Sequence, residues 1–143
     1  MMLTGGEKYN AKKIIVKISE IYPKISDIIN TENYVNNSSS LSKLYDYTLD
    51  IFTSLVSLTI NIINSSSGLS SIFNLLQEVH YYKGVNNNNK QYLIDVVNRI
   101  PELQEELIKL VESDTTNRDA VLRQIMDELG IVDPNAKKKR SLW

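Results

Sequence analysis

The longest uncharged stretch of the chain spans residues 51–77, between Asp50 and Glu78. Its first half carries two apolar stripes at helical spacing, so a helix there is apolar on nearly every side, as buried helices are. The apolar run of 13 residues includes four hydroxyl side chains and Asn61, whereas a membrane-spanning helix needs about 20 mostly apolar residues. We therefore predict that a helix over about residues 44–63 lies at the centre of a soluble bundle.

Helical spacing of apolar residues recurs along the rest of the chain. Residues 10–29 carry isoleucines at 14, 18, 21, 25 and 28, and Pro23 within them predicts a kink or two short helices, because proline removes a backbone donor. Further helical patterns cover residues 69–83, 90–99, 101–111 and 116–129, and Gly84 and Gly130 are typical helix-end residues. No segment alternates convincingly with a period of two. The sequence thus predicts an all-α fold, a single compact bundle of six or seven helices.

The predicted boundaries divide the 143 residues into three parts. Residues 1–9 form an N-terminal arm, residues 10–133 the helical bundle domain and residues 134–143 a short basic tail. Polar segments separate the helices, and residues 85–89, with four consecutive asparagines, are predicted to be an exposed loop. Because loop length changes closure entropy only slowly, we expect this loop to be dispensable for stability.

Composition limits the class of protein. The chain has no cysteine, which excludes a disulfide scaffold. Its net charge is −1, so the protein as a whole has no positive field that would attract nucleic acid. The 17 Ile and 15 Asn residues, against three Ala, indicate an AT-rich genome such as that of a protist, a parasite, an organelle or a large DNA virus. No secretory signal precedes the first helical pattern. We expect an intracellular protein, cytoplasmic or nuclear, with a virion location as a further option.

Candidate catalytic chemistry is sparse. The one histidine, His80, has no second ligand or base at a metal or catalytic spacing, and is interpreted as a surface or boundary residue. No nucleophile elbow, phosphate loop or dinucleotide motif occurs. The acids Glu102, Glu105 and Glu106 fit the solvated first turns of a helix. We therefore expect no enzyme activity, no metal site, no cofactor and no small-molecule substrate.

The C-terminus carries the one cluster that suggests binding. Lys137, Lys138, Lys139 and Arg140 are consecutive cations that attract phosphate or an acidic protein face. Such a run is also typical of a localisation signal or of a solubilising terminus. Trp143, the only tryptophan, follows closely and is a candidate anchor that stacks on a base or fills a partner pocket. Folding back onto its own domain is the alternative.

The helix pattern, a nearly uncharged central helix surrounded by amphipathic helices, resembles the Bcl-2 type of bundle, including its divergent viral members. The N-W-G-R residues of that family are absent. The leading hypothesis is a non-enzymatic helical interaction or structural protein, a component of a larger assembly whose basic tail contacts an anionic partner. The resemblance implies the first alternative, a viral Bcl-2-like regulator that binds an amphipathic partner helix in a groove. The second is a nucleic-acid-binding accessory protein that uses the tail.

Overall fold

The computed structural model describes residues 3–111, 125–127 and 129–130. These residues form six α-helices, one 3₁₀ helix and no strand, which confirms the predicted all-α bundle. In chain order the elements are α1 (Gly5–Ile29), the 3₁₀ helix (Tyr34–Asn36), α2 (Ser38–Leu55), α3 (Ile60–Asn64), α4 (Ser67–His80), α5 (Lys90–Val97) and α6 (Ile100–Val111). Most of the helix predicted over residues 116–129, and the basic tail, lie outside the described residues.

Helix α1 begins at Gly5, inside the segment predicted to be an N-terminal arm, so that boundary was wrong. Thr4 and Glu7 form a capping box: Thr4 Oγ1 accepts from the backbone N–H of Glu7 at 3.2 Å, and the N–H of Thr4 donates to Glu7 Oε1 at 2.8 Å. Reciprocal bonds of this kind satisfy two donors at a helix start. Leu3 is also buried, so residues before Asn10 belong to the bundle.

Pro23 does not divide α1 into two helices; the helix continues through it. The proline lies on the exposed face, whereas Ile18, Ile21 and Ile25 on either side are buried. Proline costs the helix one backbone bond, to the carbonyl of Ser19 four residues earlier. Burial of isoleucines before and after Pro23 offsets that loss and keeps both halves on the core.

The predicted continuous helix over residues 44–63 is interrupted. Helix α2 ends at Leu55 and α3 starts at Ile60. Hydroxyl side chains account for the break: Ser54 and Ser57 donate to backbone carbonyls three or four residues earlier, and Thr59 Oγ1 caps α3 by accepting from the N–H of Ile62. Such local bonds compete with the helical ladder.

Helix α4 occupies the central position that was predicted for residues 44–63. It packs against α2, α3, α5 and α6, while α1 packs against α2 and α6. Its stripe of Leu69, Ile72, Leu76 and Val79 is fully buried, and Ser66 caps its start by accepting from the N–H of Leu69. Near the C-terminus, Ile125 and Met126 join the same core, and Gly130 has the predicted left-handed backbone (φ 73°).

Candidate functional site

The five residues that the sequence singles out for binding, Lys137, Lys138, Lys139, Arg140 and Trp143, lie outside the described residues. Their roles stay predictions. The described residues contain an uncharged corner of the bundle, a polar cleft and an enclosed histidine.

The uncharged corner consists of the exposed residues between 53 and 67, from the last turn of α2 through α3 to the start of α4. Nine residues of this segment are exposed, and all nine are Ser, Thr, Asn, Val or Ile. We call this surface the charge-free corner. Val56 and Ile60 are its large apolar side chains, 56% and 61% exposed. Exposed apolar groups without neighbouring charge match the centres of protein interfaces, which are depleted in charged residues.

The corner exists because the helical structure is interrupted between α2 and α3. Leu55, Leu58 and Ile62 point into the core, and the turn that allows this leaves Val56 and Ile60 on the outside. The prediction that the 51–63 segment is buried on all sides was therefore wrong for these two residues. The reason is the turn between α2 and α3, which the hydroxyl groups of Ser57 and Thr59 stabilise. Because of this turn, α2 and α3 do not share one continuous helical face toward the core.

Lysines border the corner where the chain enters it. A cleft of about 250 Å³ between α1 and the end of α2 is lined by Asn10, Lys13, Ile14, Lys17, Ser54 and Ser57. Lys17 Nζ lies 2.8 Å from Asp50 Oδ1. The Lys13 ammonium lies 5.3 Å from the centre of the Tyr9 ring, and no carboxylate of the described residues pairs with it. Glu20 lines a neighbouring cleft together with Lys13 and Lys17, so this border carries both lysines and acids.

Glutamates border the corner where the chain leaves it. Ser66 Oγ donates to Glu106 Oε2 at 2.8 Å, and a side chain on Gly68 would come within 3.1 Å of Glu102 Oε2. Carboxylates beside the N-terminus of α4 are stabilised by the helix dipole. Arg99 pairs with Glu102 at 2.8 Å, and Lys109 lies 3.5 Å from Glu106. The two glutamates at this border are thus each paired with a cation of the same helix end or turn.

A polar cleft of about 830 Å³ adjoins the corner along α4 and α5. Ser67 belongs to both surfaces, and Ser70 of the cleft donates from Oγ to Asn64 Oδ1 of the corner at 3.4 Å. Arg99 also lines this cleft and donates to Ser71 Oγ at 2.8 Å. Its hydrogen bonds to Glu102 raise the pKa of Arg99 and lower the pKa of Glu102. Most of the side chains that line this cleft are polar or charged, and Leu75 is its apolar exception.

His80 lies in an aromatic enclosure between α4 and α2. Its ring stacks on Phe52 at 5.5 Å and meets the edge of Tyr45 at 4.6 Å. Nε2 lies 3.0 Å from Thr48 Oγ1, and that hydroxyl donates to the carbonyl of Tyr45. Because the hydroxyl proton is already used, Nε2 is the donor and Nδ1 is an unprotonated acceptor. Nδ1 is buried without a partner among the described residues.

Burial lowers the pKa of His80 from 6.5 to about 4. A proton on Nδ1 would be a buried charge without an acceptor, which explains the direction of the change. The ring is therefore neutral at pH 7, and it faces a hydroxyl and two aromatic rings. This arrangement fits a structural contact between α2 and α4, in agreement with the interpretation of His80 as a boundary residue.

The described residues contain no group of three potential metal ligands. Within the same residues no helix combines the length and the apolar character that crossing a membrane requires. In comparisons with known proteins, no family model, curated protein or solved structure matches the chain. The geometry of the described residues is therefore the basis for a functional proposal.

Proposed function

We propose that the chain is a non-enzymatic helical interaction protein and that the charge-free corner is the surface that contacts its protein partner. The observation that carries this proposal is the exposure of Val56 and Ile60 on a surface without charge. Exposing large apolar side chains to water is unfavourable by about 25 cal/mol per Å². A partner that covers them recovers that free energy without desolvating a charge.

The apolar, polar and charged groups of the corner are also arranged as they are in protein interfaces. Apolar side chains occupy its middle, hydroxyl and amide groups surround them, and lysines and glutamates lie at its two borders. Interfaces commonly have an apolar centre with a polar, solvated rim.

A photo-reactive amino acid at position 60 tests the proposal in cells that produce the protein. We expect it to form covalent adducts with a protein, and the added substitution Val56→Lys to abolish them. The matched control places the same probe at Tyr81, which is 81% exposed but lies beyond the C-terminus of α4, away from the corner. Equal adducts from both positions, or none from position 60, would contradict the proposal.

We further propose that the basic tail, Lys137 to Arg140 with Trp143, contacts an anionic surface of the assembly that contains this protein. Four adjacent cations bind an anionic surface mainly by charge, so this contact is sensitive to salt. Nucleic acid and an acidic protein face both satisfy this chemistry. The tail and the corner are separate stretches of the sequence, so each can be substituted on its own.

A further inference from the structure

We infer that a cleft between the start of α2 and the loop before α5 binds a small phosphate monoester. The cleft, of about 310 Å³, is lined by side chains from residues 35–42 on one wall and residues 85–90 on the other. It lies at the start of α2, whereas the charge-free corner begins at the last turn of the same helix. The two sites share no residue, so this ligand goes beyond the proposed function and can be disproved without it.

The charge of the cleft favours an anion. Residues 34–42 and 85–90 contain a single charged side chain, Lys90, and Lys90 lines the cleft. No carboxylate of the described residues lies within ion-pair distance of its ammonium group. Four acids flank the two segments in the sequence, and none of them lines the cleft: Glu32, Asp46, Glu78 and Asp95. An anion from solution can therefore bind Lys90 without meeting a carboxylate in the lining.

The loop wall of the cleft is held in place by its own hydrogen bonds. Asn86 Oδ1 accepts from the backbone N–H of Asn88 at 2.7 Å and from that of Asn89 at 3.2 Å. The backbone N–H of Lys90 donates to the carbonyl of Asn86 at 3.0 Å, and the buried side chain of Asn89 joins the loop to α4. Because its oxygen is occupied, the Asn86 side chain has its NH₂ group left to donate. The loop thus positions an amide donor and an ammonium group at the same cleft.

The α2 wall of the cleft adds hydroxyl groups. Ser38 and Ser42, four residues apart on α2, both line it. Neither hydroxyl has a hydrogen-bond partner among the described residues, so both are available to a ligand. A phosphate group has three terminal oxygens that are strong acceptors. It can therefore accept from Lys90, from an amide and from a serine hydroxyl, whereas a carboxylate has only two oxygens to share among them.

The apolar lining and the volume indicate an ester rather than free phosphate. Val35, Leu41 and Val85 also line the cleft and offer a surface that an organic group can cover. Small-molecule sites commonly occupy about 300–1,000 Å³. At about 310 Å³ this cleft has room for a phosphate group together with one small organic group.

Titration with phenyl phosphate, followed by NMR of the full chain, tests the site. The probe should shift the backbone amide resonances of residues 35–42 and 85–90, with a dissociation constant on the order of 1 mM for a ligand of this size. Lys90→Gln should weaken binding by roughly 10-fold or more, because it removes the charged donor. The matched control is Lys83→Gln: Lys83 is exposed just before the same loop and does not line the cleft, so binding should be that of the wild type.

A second pair of variants tests the opposite wall. Ser42→Asp places a carboxylate in the cleft at an exposed position of α2 and should abolish detectable binding. Ser39→Asp makes the same change at an exposed position that does not line the cleft, and its effect on binding should be much smaller. Circular dichroism confirms that each variant is folded. Equal effects of the two substitutions overturn the assignment of the cleft.

Two related probes separate the parts of the ligand. Inorganic phosphate lacks the apolar ring, and benzoate replaces the phosphate group by a carboxylate, so each should bind several-fold more weakly than phenyl phosphate. Equal binding of either probe overturns the choice of a phosphate monoester. The basic tail also attracts anions, and the NMR resonances distinguish it by position. Shifts at residues 137–143 without shifts at residues 85–90, or a Lys90→Gln chain that binds like the wild type, overturn the inference.

Discussion

The side-chain amide of Asn89 donates a 2.8 Å hydrogen bond to the carbonyl oxygen of Val79, near the end of α4. The same amide donates to the carbonyl of Gly84 at 2.8 Å, and its Oδ1 accepts from the N–H of Asn86 at 2.8 Å. The side chain is fully buried. Asn89 thus holds the loop between α4 and α5 against the core, and the expectation that this loop is exposed and dispensable was wrong at this residue.

Asn89→Ala is expected to destabilise the fold by about 2 kcal/mol or more, because it leaves two carbonyl oxygens without their donor. Chemical denaturation measures this free energy of unfolding. Asn87→Ala is the matched control: Asn87 is exposed in the same loop, so its effect should stay within about 0.5 kcal/mol. Equal effects of the two substitutions would show that the Asn89 hydrogen bonds do not stabilise the protein.

The contrast between Asn87 and Asn89 shows why this feature could not be predicted from the sequence. Four consecutive asparagines have the same chemistry, and only the path of the chain from Gly84 (φ 113°) to Lys90 selects which one turns inward. An AT-rich genome also produces such runs without structural reason. The all-α fold was predictable because helical periodicity is a local property, whereas burial of one residue in a run depends on tertiary packing.

The interruption between α2 and α3 was predictable in principle. Residues 53, 54, 57 and 59 are all Ser or Thr, and these side chains offer the backbone alternatives to helical bonds. Apolar periodicity over residues 51–63 favours one continuous helix and takes no account of this hydroxyl pattern. For that reason it predicts Val56 and Ile60, the two residues that define the candidate site, to be buried.

Two neighbouring residues at the end of α2, Leu55 and Val56, lie in the core and on the surface respectively. Leu55 is fully buried and Val56 is 56% exposed. Leu55→Lys places an unpaired charge in the core, at a cost of several kcal/mol against a typical total stability of about 5–15 kcal/mol, and should prevent cooperative folding. Val56→Lys should change stability by only about 0.5 kcal/mol. Thermal unfolding followed by circular dichroism compares the two, and a cooperative transition in Leu55→Lys would contradict the packing.

His80 should make stability depend on pH. Its pKa is about 4 in the folded protein and 6.5 in the unfolded chain, so between these values the unfolded chain binds more protons. The free energy of unfolding should therefore fall as the pH decreases from 6.5 to 4, and this contribution should be constant outside that window. His80→Gln, which keeps a donor for Thr48 and does not titrate, should lose less stability over the same range.

Two measurements check the His80 prediction. The difference in melting temperature between the wild type and His80→Gln isolates the histidine, because the carboxylates titrate in both proteins. As the chain has one histidine, its imidazole proton resonances report the pKa directly by NMR. A resonance that titrates near 6.5, together with parallel stability profiles, would show that the ring is exposed to water.

The basic tail should contribute to binding and not to folding. Truncation after Asp133 removes Lys137 to Arg140 and Trp143, which follow the helix-end residue Gly130 and Pro134 in the sequence. We expect an unchanged melting temperature and weaker binding to a polyanion such as single-stranded DNA or polyglutamate. Added salt should reduce the difference in affinity, because charges are screened beyond about 8 Å at physiological ionic strength.

A variant with all four cations replaced by serine, and Trp143 retained, separates charge from the aromatic anchor. Trp143 is the only tryptophan, so its fluorescence reports this segment alone. In the full chain its emission should be that of a water-exposed indole and should shift to the blue on binding; in the serine variant the shift should require far more polyanion. A blue-shifted emission in the free protein, with a lower melting temperature after truncation, would mean that the tail packs on its own domain.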